Sequence, residues 1–177
     1  MLPLYHLATG DPDAAKAEFE WFAQDGFGRV RRDMFWFTAI CVLAESCALM
    51  SDAARAQVLY DLLKPFEDRN VVVTQAACWG SSRRFLGLLA ATLGRGDEAA
   101  AQLQAAIAFN DACGNPAGAA VVRRDLARLL VARGAEGDLN RATGLLREAL
   151  RTAEDSGAEA LIAHVRGEIA AIEHARP

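Results

Sequence analysis

Apolar residues return along the chain in stripes of helical spacing, as at Leu161, Ile162, Val165, Ile169 and Ile172, and polar or glycine signals punctuate the stripes. Those signals place the helices. Asp11-Pro12 opens one that runs to about Gln24, Asp33 one to about Leu49, and Ser51-Asp52 one to about Glu67. A fourth runs from about Ser82 to Leu93 and stops at Gly94, and Asp97 opens a fifth that ends near Cys113-Gly114. Pro116 begins the sixth, which Gly134 stops after Arg133, and the last two run from about Asp138 to Asp155 and from Ala158 to near Ala175. The uncharged run Asn70 to Ser82 carries no helix signal; it is long and apolar for a connector and is expected to pack inside, with Trp79 as a plug or as the floor of a small pocket.

Superposed, these helices share a register. Ala56, Ala99 and Ala142 stand 43 apart, as do Leu63, Ala106 and Ala149. An apolar residue followed by a small one recurs as Leu43-Ala44, Leu86-Gly87, Leu126-Ala127 and Ile169-Ala170, at steps of 43, 40 and 43. A small residue suits the crossing of two helices, whose axes approach to about 8 Å only where no bulky side chain intervenes. Tyr60, Leu103 and Leu146 then fill the layer between hairpins. One hairpin cannot bury its own apolar stripe, so neighbours stack. The expectation is an all-α chain, an α-α superhelix of about eight antiparallel helices forming a single domain over 1–177. Its hairpins lie at about 33–67, 82–113 and 116–155, with a partial hairpin at 11–24 and a C-terminal helix at 158–175.

Composition agrees. The chain is 53% hydrophobic, rich in Ala and Leu, with valine clustered at Val71-Val72-Val73. Its net charge is -4; residues 1–70 carry 11 acids and 7 bases, and residues 71–177 carry 12 of each. Neither part is basic enough to grip nucleic acid through bulk charge. No stretch has the length of a membrane span, and the first residues lack the basic start and long apolar run of a secretory signal, so a cytoplasmic location is expected. Cys41, Cys47, Cys78 and Cys113 show no CxxC spacing and read as small hydrophobes of a reducing compartment.

Leu86-Gly87, Gly94, Ala99, Leu103 and Ala106 resemble the small-and-large pattern of tetratricopeptide (TPR) repeats. The 43-residue step exceeds the usual 34 or so, which places the additional residues in the turns Asp68 to Ser81, Phe109 to Pro116 and Gly134 to Asp138. Leu43 to Asp52, Tyr60 to Pro65, Val71 to Val73 and Phe85 to Gly94 resemble the C-terminal helical region of large bacterial signalling ATPases, in which such repeats accompany a LuxR-type helix-turn-helix or a class III adenylate cyclase domain. The resemblance implies a non-enzymatic binding module, the sensor or partner-docking region of a bacterial transcriptional or cyclic-nucleotide signalling regulator. No P-loop accompanies it, because neither Lys16 nor Lys64 follows a glycine. Met1 to Gly10 is too short for the first helix of a hairpin, so the array is expected to open mid-repeat, as a piece of a longer regulator would.

In the tetratricopeptide register the residues two before and two after Leu43, Leu86 and Leu126 face the concave groove: Cys41 and Glu45, Arg84 and Leu88, Arg124 and Arg128. Three arginines on one groove suit a carboxylate, a phosphate or an acidic peptide. The alternative is that Arg83-Arg84 and Arg123-Arg124 are solvated or paired with acids of adjacent helices. Arg29, Arg31 and Arg32, in a loop before a helix start, read as solvated. Catalysis has no local support. His164 and His174 lie ten apart on one helix, about 15 Å along its axis, and cannot share a metal. No cofactor is implied. A second function reading is self-association: a homodimer through the aromatic Trp21, Phe22, Phe35, Trp36 and Phe37, or through the apolar final helix.

Overall fold

A computed structural model describes residues 2–73 and 77–174. The class is all-α: nine α-helices and one two-stranded hairpin among the described residues. The chain divides into two compact units, Met1–Ala99 and Ala100–Pro177.

The first unit contains α1 (Leu2–Ala8), α2 (Pro12–Ala23), α3 (Trp36–Leu49), α4 (Ala53–Leu63), β1 (Asn70–Val73), β2 (Ala77–Ser81), α5 (Arg83–Thr92) and the start of α6 (Gly96–Ala112). The expectation that Met1 to Gly10 supplies no helix is corrected, because α1 packs against α2 and completes the first hairpin. Gly10, at φ 80°, takes the left-handed turn that α1 needs to double back, and the Asp11 carboxylate caps α2 by accepting from Ala14 N at 3.0 Å. At its centre α3 packs on α4, α5 and β1. Its mid-length residues Ile40 to Ala44 are all buried, as a helix with neighbours on several sides requires.

Two sequence expectations shift here. Asp33 does not open α3; its carboxylate accepts from Phe35 N at 2.9 Å and closes a turn, so the helix starts at Trp36. The run from Asn70 to Ser82 is not a buried plug but an antiparallel hairpin, with Asn70 opposite Ser81 and Val73 opposite Ala77. Alternating side chains explain the difference: Val71 faces the core, while Val72 and Cys78 face solvent and Trp79 is half-buried. Thr38 Oγ1 donates to Val72 O at 3.2 Å and ties the hairpin to α3. Thr74, Gln75 and Ala76 of that run lie outside the described residues, as does Ala175 at the end of the last expected helix.

The second unit holds most of α6 with α7 (Pro116–Arg133), α8 (Asp138–Ser156) and α9 (Glu159–His174). Leu103, Ile107, Val122, Leu126, Leu130, Leu146 and Val165 form one core with Ala106, Ala127, Ala142 and Ala149 between them. Pro116 stands at the start of α7 behind the Asn115 cap, which accepts from Gly118 N, and Gly134 ends the helix in the left-handed region. The Asp138 carboxylate fastens the α7–α8 turn, taking Arg133 Nε and Nη2 at 2.8 and 2.7 Å and Ala135 N at 3.0 Å.

Every position of the 43-residue register from Leu43 to Ala149 is buried: Ala56, Ala99, Ala142, Leu63, Ala106, Ala149, Tyr60, Leu103, Leu146 and the pairs at Leu43, Leu86 and Leu126. Ile169-Ala170 departs from it, half-buried and exposed respectively. No helix among the described residues is long and apolar enough to cross a membrane.

Candidate functional site

In the first unit, α3 and α5 bring Glu45 and Arg84 together. Arg84 Nη2 donates to Glu45 Oε1 at 2.6 Å, and the two side chains are 12% and 23% exposed. The Arg84 guanidinium also lies 5.2 Å from the centre of the Phe85 ring. Cys41, two residues before Leu43, lies behind this pair; burial pushes its thiol well above the ordinary range, with Arg84 pulling down and Glu45 pushing up. Such a thiol is neither nucleophile nor ligand at neutral pH. Leu88 is half-buried one turn further along α5, and Trp79 stands on β2.

In the second unit, Arg124 of α7 holds Glu168 of α9, with Nε and Nη2 at 2.8 and 2.7 Å from the same oxygen, Oε1. The opposite oxygen, Oε2, is buried without a hydrogen-bond partner among the described residues. Arg128 Nε stands 4.0 Å from Glu168 Oε1 and its side chain is 56% exposed. The units thus use one device in reversed sense, an arginine of one helix held by a glutamate about forty positions away. The sequence places Glu45 and Arg84 on one groove and offers pairing with acids of adjacent helices as the alternative for Arg84 and Arg124; Glu168, 44 positions from Arg124, carries no local signal.

The adjacent arginines are engaged too. Arg83 reaches Glu67 and Asp68, and Arg123 reaches Asp111 and Glu148. Of the arginines placed at groove positions, Arg128 is the one that keeps most of its guanidinium in solvent. Beside it lies a cleft of about 320 Å³ bounded by Ala127, Val131, Leu139, Leu146, Ala171 and Ile172. Its walls are apolar, and Arg128 and Glu168 supply the charged groups at its edge. Val131 and Leu139 are each 40% exposed, although a helix stripe would bury them. That excess exposure, at positions adjoining the α7–α8 turn, is not readable from the apolar pattern.

The apolar face of α9 is occupied by its own unit. Ile162, Val165 and Ile172 are buried, and Leu161 and Ile169 are half-buried against the core of α7 and α8. In the first unit Tyr5 is 62%, Trp21 50% and Phe35 50% exposed, whereas Trp36 is buried. Among the described residues no group of three or more His, Cys, Asp or Glu is gathered that could hold a metal ion.

No protein-family model and no curated protein matches the chain. Among solved structures it is similar to one titled "Crystal structure of BtubC (BKLC) from P. vanneervenii", with 21% identity, a TM-score of 0.61, and coverage of 89% of this chain and 64% of that one. The likeness is one of fold. The chain spans less than two thirds of that protein's length.

Proposed function

We propose that this chain is a non-enzymatic binding module whose helices form a TPR-like solenoid. It would serve as the sensor or partner-docking region of a bacterial transcriptional or cyclic-nucleotide signalling regulator. The buried 43-residue register supports the solenoid, because small residues at helix crossings and large ones between hairpins are what a stack of paired helices requires. The observation that carries the binding reading is the apolar cleft of α7, α8 and α9 with Arg128 at its edge. It is a concave apolar surface with one cation free enough to turn toward an incoming acid.

The partner that fits is a protein segment or small ligand with an apolar group beside a carboxylate or phosphate. Arg124 supports the cleft by fixing α7 to α9 through Glu168, and Arg128 makes the contact. Partners captured from a bacterial lysate by the full chain should be lost when Arg128→Ala and Val131→Glu are combined. Both positions are exposed, so the melting temperature should stay within a few degrees of wild type. Capture that survives in the double variant refutes the cleft as the binding surface. Exposed Tyr5 and Trp21 favour the second reading, a homodimer through the first two helices; sedimentation that gives a monomer at every concentration rejects it.

A further inference from the structure

We propose that the loop from Gly28 to Phe35 is a second docking surface, which takes an acidic peptide segment carrying an apolar side chain. The segment is pinned at three points: Phe27 and Val30 are buried, the Phe27 ring meets Phe19 with centres 5.7 Å apart, and Trp36 closes the far end. What lies between those pins turns outward. Arg29, Arg31 and Arg32 are exposed, Met34 is 77% exposed and Phe35 50%. This outward set is held by an unusual backbone, since Asp25, Gly26 and Phe27 take φ of 55°, 61° and 67° in succession. Phe27 is not glycine and holds that conformation through its packing on Phe19, while Asp25 is of a type that tolerates it.

The three arginines differ from most others in the unit. Arg55, Arg83, Arg84 and Arg95 each have a carboxylate within ion-pair distance, whereas Arg29, Arg31 and Arg32 have none among the described residues. Arg29 and Arg32 lie over rings instead, 4.9 Å from the centre of Trp21 and 4.5 Å from that of Trp36. Stacking orients a guanidinium and leaves its N–H edge open to a carboxylate fork. Asp33, the acid within the loop, is turned to the backbone N–H of Phe35 and neutralises none of them at contact distance.

The surroundings select the partner. Residues 1–99 carry 13 acids and 10 bases, so an extended anionic surface, lipid or nucleic acid, would be opposed by the net negative charge of the unit that carries the loop. A short acidic peptide touches only the loop, within one screening length of about 8 Å. Met34 and Phe35 then bury against its apolar side chain, a flexible thioether and a flat ring suited to anchoring. This surface lies in the first unit and does not rest on the cleft beside Arg128.

The test uses the full chain and a short fluorescein-labelled peptide of alternating glutamate and leucine, read by fluorescence anisotropy. Its lysine-leucine counterpart, phosphatidylserine vesicles and a single-stranded oligonucleotide serve as competing arms. The acidic peptide should bind, more weakly as salt rises. Arg29→Ala/Arg31→Ala/Arg32→Ala should weaken it about tenfold or more. Met34→Ser/Phe35→Ser should weaken it several-fold, and three lysines in place of the arginines should restore only part of the affinity. Should the triple variant lose helical circular dichroism, Arg31→Glu alone, which disturbs no ring contact, carries the same expectation. Unchanged affinity in these folded variants, no binding of the acidic peptide, or tighter binding of vesicles or oligonucleotide overturns the proposal. So does a homodimer that forms through this loop and is lost on Met34→Ser/Phe35→Ser.

Discussion

Glu45 and Arg84 meet at 2.6 Å, and so do Glu20 and Arg55; the pairs differ in burial, and Arg55 also holds Asp52 at 3.2 Å. The first pair is 23% and 12% exposed, the second 39% and 37%. Exposed pairs couple by roughly 0.2–1 kcal/mol because water screens them and both side chains lose freedom. A charge-assisted hydrogen bond at a mostly buried site contributes about 1.5–3 kcal/mol, and truncating one partner costs more because the other charge stays behind without its counterion. Glu45→Ala alone should therefore cost about 2–3 kcal/mol, since it takes this carboxylate from a guanidinium that has little access to water. The assay is a pair of double-mutant cycles by urea unfolding, Glu45→Ala with Arg84→Ala and Glu20→Ala with Arg55→Ala. We expect coupling of about 2 kcal/mol at the first pair and below about 1 kcal/mol at the second. Equal couplings, or a larger one at Glu20 and Arg55, would refute the argument that burial makes Arg84 structural.

Three further outcomes follow from local geometry. Native protein at pH 8 should take two thiol adducts rapidly, at Cys78 and Cys113, while Cys41 and Cys47 react only on unfolding; burial pushes the Cys47 thiol up to about 12, and three or four adducts on native protein would contradict this. The Arg133 guanidinium holds the Asp138 carboxyl below its ordinary value of 3.8, so its stabilising contribution is complete above that pH and is lost as pH falls through the depressed folded value. Asp138→Asn should accordingly destabilise at pH 7 and make the loss of stability on acidification shallower; an acid limb parallel to wild type contradicts that. Leu126→Ala, at a fully buried position of the second core, should cost about 3–5 kcal/mol in chemical unfolding, and a loss under about 1 kcal/mol would mean the site is not packed as described.

Helices bounded by local punctuation were legible from the chain alone. Pro116 with Gly134 and Ser82 with Gly94 act within a turn of the helix ends they define, as Asp138 does at the start of α8, and α5, α7 and α8 fall within a residue or two of the expected bounds. The buried register was legible for a related reason, because a periodic demand for small and large residues is imposed by packing at every repeat and is written into each copy. Elements whose identity depends on distant partners were not. Seven residues at Leu2–Ala8 become a helix by lying on α2 and α3, since a helix that short is marginal alone. Val71 to Val73 becomes a strand by pairing with Ala77 to Ser81 and resting on α3. The arginines show the division most sharply. Their residue type and repeat spacing are visible in the sequence, but their roles depend on which carboxylate the fold delivers. Glu45 comes 39 positions before Arg84 and Glu168 44 after Arg124, and among the described residues no carboxylate lies within ion-pair distance of Arg29, Arg31 or Arg32. Coulomb energy falls off over a few ångströms in water, so sequence distance carries no information about it; only the tertiary structure decides which guanidinium is spent and which is free.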